Sequence, residues 1–142
     1  MNRRLFSPRL PALALALALA LLLAVPACQR DLPPDAAYRA LVRAMAERDE
    51  EAAWDLLSSA TQGRLTDRAR VAAEAAPGVV PPSARAMLAG DAPLGVRPPT
   101  SITVVESGPD RAVLRVEAPG AKPGEVVLVR ERGGFRVDLP VE

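Results

Sequence analysis

Histidine is absent from this 142-residue chain, and cysteine occurs once, as Cys28. Without histidine the sequence lacks the base of Ser/His/Asp and Cys/His nucleophile systems and the nitrogen ligand of the usual zinc sites. A lone cysteine cannot form a disulfide within the chain, so stability has to come from packing. Acid–base chemistry is left to carboxylates and to Tyr38, the only tyrosine, and we predict neither a metal nor a cofactor.

The sequence also lacks a large net charge of either sign. The chain has 18 basic and 17 acidic residues, which gives a net charge of +1. Three of the arginines lie within residues 1–27, which contain no acid, so residues 28–142 carry 15 basic and 17 acidic residues and a net charge of −2. A domain with this balance does not recruit nucleic acid by charge, and we predict no nucleic-acid partner.

The amino terminus, by contrast, is strongly patterned. Arg3, Arg4 and Arg9 form a basic start, and no charged residue follows from Leu10 to Ala27, just before Cys28. A positive start, an apolar run and small residues at its end are the order of an export signal. The pattern therefore predicts that the protein is exported.

Two other interpretations of this segment stay open. One is an ordinary secretory signal followed by an incidental cysteine. The other is a retained transmembrane helix, but Pro11 and Pro26 leave only Ala12 to Val25 unbroken. As a helix that run is about 21 Å long, whereas the hydrocarbon core of a bilayer is about 30 Å thick.

Val25, Ala27 and Cys28 resemble the lipobox of bacterial lipoproteins, position by position. The resemblance implies that lipoprotein-processing enzymes attach a diacylglyceryl group to Cys28 through a thioether, cleave between Ala27 and Cys28, and acylate the new amine. Two or three acyl chains hold a protein firmly at a membrane, whereas one does not. Residues 1–27 would then be a signal peptide that is removed, and Gln29 after the cysteine implies the outer membrane, facing the periplasm.

Residues 28–34 are then a lipidated cysteine with a short tether, and residues 35–142 form a single domain. Tyr38, Leu41, Val42 and Met45 recur at helical spacing after a candidate N-cap, Asp35. Further caps are expected at Asp49 for a second helix, and at Ser59 or Thr61 for a third that runs to about Ala76. From Pro77 to Thr100 we expect a loop over one end of the fold, with a two-turn helix from Ser83 to Ala89 closed by Gly90.

The last third of the chain changes to a period of two. Four strands are expected, separated by glycine- and proline-containing turns: Ile102 to Ser107, Arg111 to Ala118, Glu125 to Glu131 and Phe135 to Leu139. Apolar residues such as Leu114 and Val137 alternate with charged ones such as Arg115 and Arg136. The pattern predicts an α+β fold in which helices pack on one face of a mostly antiparallel sheet and the other face is largely charged.

The segments Tyr38 to Met45, Asp49 to Leu57 and Glu125 to Leu139 resemble the cone-shaped nuclear transport factor two-like, or ketosteroid isomerase-like, domains. The resemblance implies N-terminal helices packed on a curved, cone-like sheet. Enzymes of that family place a tyrosine from the first helix beside an acid on the sheet. The resemblance thus implies an isomerase or dehydratase that uses Tyr38 and a strand carboxylate, namely Asp138, Glu117 or Glu131.

The residues themselves favour a non-catalytic domain. Tyr38 begins an apolar stripe and reads as a core residue with its hydroxyl at the rim, while the strand acids alternate with arginines as cross-strand ion pairs. The arginines Arg64, Arg68 and Arg70 read as a solvated helix face. We therefore expect a membrane-anchored binding or scaffold module whose ligand or protein partner is unknown, with the isomerase-type enzyme as the alternative.

Overall fold

The computed structural model describes residues 31–79, 83–89, 96–131 and 133–140. Three α-helices come first: α1 (Pro34–Glu47), α2 (Glu50–Leu56) and α3 (Ser59–Ala75). A 3-10 helix (Ala86–Ala89) leads to four strands: β1 (Ser101–Ser107), β2 (Arg111–Glu117), β3 (Gly124–Glu131) and β4 (Gly134–Asp138). The fold is α+β with the helices before the sheet, as the sequence predicts.

Helix α1 begins one residue earlier than its expected cap. Pro33 occupies the N-cap position and Pro34 the first helical turn, where proline is favoured because its missing N–H has no helical acceptor. The prediction that Asp35 is the N-cap is wrong, since Asp35 lies in the first turn, where the helix dipole still stabilises its charge. Arg48 ends the helix in the left-handed conformation, with a φ of 57°.

The cap of α2 was predicted correctly and the cap of α3 was not. Asp49 caps α2 as expected, since its Oδ1 accepts a hydrogen bond from the Ala52 N–H at 3.0 Å. The cap of α3 is Ser58, which accepts from the Thr61 N–H at 3.0 Å, and the predictions of Ser59 or Thr61 are wrong. Ser58 is the cap because its own N–H donates a hydrogen bond to the Val137 carbonyl at 2.9 Å, and this bond holds Ser58 beside β4.

The linker between α3 and β1 is partly packed rather than only draped over the fold. The expected two-turn helix from Ser83 to Ala89 is a shorter 3-10 helix over Ala86–Ala89, and the expected closing residue, Gly90, lies outside the described residues. Ala84 and Leu88 are buried in the core, and the Arg85 guanidinium stacks 5.6 Å from the Trp54 ring centroid. Burial of these two apolar side chains stabilises the linker against the second helix.

The four strands form one open antiparallel sheet in the order β1-β2-β3-β4. Each observed strand begins within one residue of its predicted start. The register of β1 shifts between Val104 and Glu106, which marks a bulge at Val105. Leu57 makes a parallel bridge to Val137, so the outer edge of β4 is covered by the chain that leads into α3.

The core lies between α1 and the face of the sheet that carries Leu114, Leu128 and Val137. Leu41 of α1 and these three residues have no accessible surface. Burial of each such side chain contributes about 1.5–3 kcal/mol. The predicted dry face is therefore confirmed.

The other face is less exposed than its alternation predicts. Val113 and Arg136 are only 6% and 9% exposed. Val113 lies on an inner strand opposite Val127, and Arg136 lies opposite Val129, so both have apolar cross-strand neighbours. Arg136 donates to the Phe135 carbonyl at 3.2 Å, while its buried Nε has no partner among the described residues.

Residues 31–34 belong to the domain rather than to a free tether. Leu32 packs against the core, and Pro34 is the first residue of α1. Asp31 forms an ion pair with Arg130 at the end of β3. No helix within the described ranges is long and apolar enough to cross a membrane, and the run from Leu10 to Ala27 lies outside those ranges.

Candidate functional site

Tyr38 is a core residue whose hydroxyl lies at the edge of the core. It lies on α1, it is only 4% exposed, and it packs with the core residues of that helix. No group among the described residues hydrogen-bonds its hydroxyl. Burial raises the pKa of Tyr38 above its ordinary value of 10.0, so the hydroxyl is protonated at neutral pH and can donate a hydrogen bond.

Tyr38 lines a depression of about 380 Å³ at one end of the sheet, which we call the Tyr38 depression. Its apolar wall consists of Val116, Ala118 and Val126, from the end of β2 and the start of β3. The loop between these strands supplies the rim. A concave, largely apolar surface with a few polar groups is the usual form of a small-molecule site.

Two cations also line the Tyr38 depression. Arg97 precedes β1, Lys122 lies in the loop between β2 and β3, and both are exposed. No aspartate or glutamate is among the lining residues, and neither cation has an ion-pair partner in the described parts of the chain. The depression is therefore positively charged within a domain whose net charge is negative.

Several other surface arginines, unlike Arg97, form ion pairs with acids. Arg70 lies 3.2 Å from Glu74 and 3.7 Å from Asp67 on α3, and Arg115 of β2 lies 3.5 Å from Glu125 of β3. These pairs agree with a solvated helix face and with cross-strand ion pairs. They also neutralise charge locally, whereas Arg97 and Lys122 leave theirs available.

Asp138 lies in a second depression, of about 490 Å³, lined also by Arg64, Val127 and Pro140. Its Oδ1 accepts hydrogen bonds from Ser58 Oγ at 2.8 Å, from Thr61 Oγ1 at 3.0 Å and from Arg64 Nη2 at 2.6 Å. Burial by itself raises the pKa of Asp138, but these hydrogen bonds and the charge of Arg64 outweigh it and leave that pKa below the ordinary value. The network joins the start of α3 to the end of β4.

The structure does not bring the proposed catalytic pair together. Tyr38 and Asp138 line different depressions, and no hydrogen bond joins them. Glu131 accepts from the N–H and the hydroxyl of Ser59, at 3.0 Å and 2.9 Å. Glu117 lies exposed near the end of β2 and is not among the residues that line either depression.

The residues nearest to Cys28 lie at the opposite end of the sheet from the Tyr38 depression. Arg130, which pairs with Asp31, also donates from Nε to the Pro109 carbonyl at 2.6 Å, in the turn between β1 and β2. The Tyr38 depression is built around the other turn of β2, the one that leads to β3. The six steps along the strand from Arg111 to Glu117 span roughly 20 Å at 3.3–3.4 Å per residue.

Cys28 and Ala27, the predicted lipidation and cleavage residues, lie outside the described residues. Across the ranges that are described, no group of three or more acidic, histidine or cysteine residues is arranged to hold a metal ion. The fold and its depressions define the class: an α+β domain whose helices precede an open antiparallel sheet. Comparisons with protein-family models, with curated proteins and with solved structures found no match to this chain.

Sequence reasoning identified Tyr38 but missed Arg97 and Lys122. These two cations are 25 residues apart in sequence and come from a proline-rich linker and a strand-to-strand loop, neither of which has a periodic pattern. One signal was available: Lys122 is the only lysine of the chain, and it lies in a turn with glycine and proline on both sides. The convergence with Tyr38 follows only from the sheet register.

Proposed function

We propose that this protein is an exported bacterial lipoprotein whose mature α+β domain is a small, non-catalytic binding module at the cell envelope. Lipid on Cys28 holds it at the membrane, most simply at the outer membrane facing the periplasm. Its ligand occupies the Tyr38 depression. One observation carries the binding role: a side chain only 4% exposed whose hydroxyl has no partner among the described residues faces a concave surface.

The Tyr38 hydroxyl has no partner among the described residues, so it is free to bond to a ligand. An acceptor on a ligand that takes the place of water there contributes about 0.5–1.5 kcal/mol. A side chain used only for packing could equally well be phenylalanine. A tyrosine whose hydroxyl lines a concave surface therefore supports a binding role.

The geometry supports a binding module better than it supports an isomerase or dehydratase. Asp138 is held by three donors, and its lowered pKa makes it a weak base. It also belongs to a different depression from Tyr38. A proton-abstracting pair needs both groups within hydrogen-bond reach of one substrate.

Metabolic labelling with a fatty acid tests the anchoring part of this proposal. We expect label on the wild-type protein and none on Cys28→Ser, because the thioether requires the Cys28 sulfur. Ser107→Ala, an exposed substitution in β1, is the matched control and should be labelled like the wild type. Label on both Cys28→Ser and wild type, or on neither, would end the anchoring proposal.

A further inference from the structure

From the charges around Tyr38, we infer that the Tyr38 depression binds small amphiphiles with an anionic head group, either a carboxylate or a phosphate monoester. This inference rests on the proposed binding function and names its ligand class. Arg97, Lys122 and the Tyr38 hydroxyl supply the polar contacts, and Val116 and Val126 supply the apolar ones.

The three polar groups are all donors. A protonated tyrosine donates one hydrogen bond and can also accept one, whereas arginine and lysine carry donors but no acceptor. A ligand that pairs with all three has to present several acceptor oxygens, and a negative charge strengthens each bond. Carboxylates and phosphates meet this requirement, whereas cations and hydrogen-bond donors do not.

The walls of the depression require an apolar body on the same ligand. The depression is lined by Val116 near the end of β2, by Ala118 just after that strand and by Val126 of β3. Burying apolar surface against these side chains contributes about 25 cal/mol per Å². A volume of about 380 Å³ is near the lower limit for small-molecule pockets, so the ligand is small.

No acid competes for the two cations within the described residues. The cations that line the other depression and the sheet edges are paired, as Arg64 is with Asp138 at 2.6 Å and Arg111 is with Glu106 at 3.1 Å. An anion that enters the Tyr38 depression therefore does not have to displace a carboxylate of the described residues. Both cations are exposed, so each is expected to contribute modestly, at most about 1 kcal/mol.

Isothermal titration calorimetry of the lipidated full-length product in nanodiscs tests this inference, with empty nanodiscs as the blank. Four water-soluble probes share one six-carbon chain: hexanoate, hexyl phosphate, hexan-1-ol and hexylammonium. We expect hexanoate, hexyl phosphate or both to bind, and the alcohol and the ammonium to bind at least tenfold more weakly. The relative affinities of hexanoate and hexyl phosphate identify which head group the site prefers.

Three variants locate the binding. Arg97→Gln and Lys122→Gln should each weaken binding of the preferred anion by about threefold to fivefold, as expected for an exposed ion pair. Arg43→Gln removes the same charge from an exposed position of α1 outside the depression and should leave the affinity unchanged. Tyr38→Phe should weaken binding while the domain stays folded.

The outcomes separate the ligand class from the binding function. If hexanol binds as tightly as the anions, and Tyr38→Phe weakens it, the module binds ligands but the anionic class is wrong. If Arg43→Gln weakens binding as much as Lys122→Gln does, the effect is one of overall charge and the site is wrong. If none of the four probes binds, both this inference and the binding role of the depression are overturned, while the labelling of Cys28 stands on its own result.

Discussion

At the scale of single residues, the pKa values of two ionisable groups are shifted in opposite directions by their environments. Tyr38 is buried without a partner, which favours its neutral form. Asp138 is surrounded by donors, which favours its charged form. Each shift gives a measurable dependence on pH.

Alkaline titration of the protein by ultraviolet absorbance should report Tyr38 alone, because it is the only tyrosine. We expect its midpoint to lie above 10.0, the value of an exposed tyrosine, because burial disfavours the phenolate. In the unfolded chain the same group ionises more readily, so the folded state loses stability as the pH rises above 10. A midpoint at or below 10.0 in the folded protein would contradict the burial of this side chain.

Asp138→Asn should destabilise the domain by about 1 kcal/mol at pH 7, because the charge-assisted bonds from Ser58 and Arg64 become weaker. The pKa of Asp138 is lower in the folded state than the ordinary value of 3.8, so its contribution is complete above that value and is lost as the pH falls through the folded pKa. Urea unfolding of the wild type and of Asp138→Asn should therefore show a difference in the free energy of unfolding at pH 7 that becomes smaller below about pH 4. A difference that stays constant with pH would mean that charge is not what stabilises the network.

At the scale of elements, two helix caps are expected to contribute unequally to the stability of the domain. Asp49 caps α2 from an exposed position and makes one bond, to the Ala52 N–H. Ser58 caps α3 with no accessible surface, and it also donates to Asp138. Only the second cap ties its helix to the sheet.

Ser58→Ala should therefore cost about 2 kcal/mol in the free energy of unfolding, and Asp49→Ala about 1 kcal/mol. The difference arises because the alanine at position 58 also removes a hydrogen bond to a partly buried carboxylate. Chemical denaturation of the two variants beside the wild type measures both values. Equal losses would show that the link between α3 and β4 contributes nothing beyond capping.

These elements also show how far the sequence alone can predict the fold. Alternation predicted the four strands and the dry face because residues such as Val116 and Val137 each lie between two charged residues. It predicted the wrong cap for α3, since Ser58, Ser59 and Thr61 are chemically equivalent caps and the bond from the Ser58 N–H to Val137 decides among them. It also misjudged Val113 and Arg136, because cross-strand neighbours decide the burial of a side chain on the second face.

At the scale of the whole molecule, Asp31 and the Tyr38 depression lie at opposite ends of the sheet. Asp31 is three positions after Cys28 in the sequence, a reach of about 10 Å when extended. Asp31 is bound to Arg130, beside the turn between β1 and β2. A lipid on Cys28 would hold that end near the bilayer and leave the depression facing away from it.

Energy transfer to an acceptor lipid tests this orientation. Asp110→Cys lies at the anchored end and Ala121→Cys at the rim of the depression, and both positions are exposed. If Cys28, the only native cysteine, is lipidated as proposed, the new thiol is the one that takes the fluorophore. We expect stronger transfer from position 110, because the two positions are separated by roughly 20 Å along β2. Equal or reversed transfer in a lipidated protein would contradict the orientation and leave the anchor intact.

The central claim is that the sulfur of Cys28 carries lipid and that the mature protein begins there. Mass spectrometry of the amino-terminal peptide, from protein purified out of the membranes of a bacterium that expresses the full chain, tests it most directly. The account predicts a peptide that starts at Cys28 and has the added mass of a diacylglyceryl group. A peptide that starts at another residue, or that starts at Cys28 with an unmodified thiol, would contradict it.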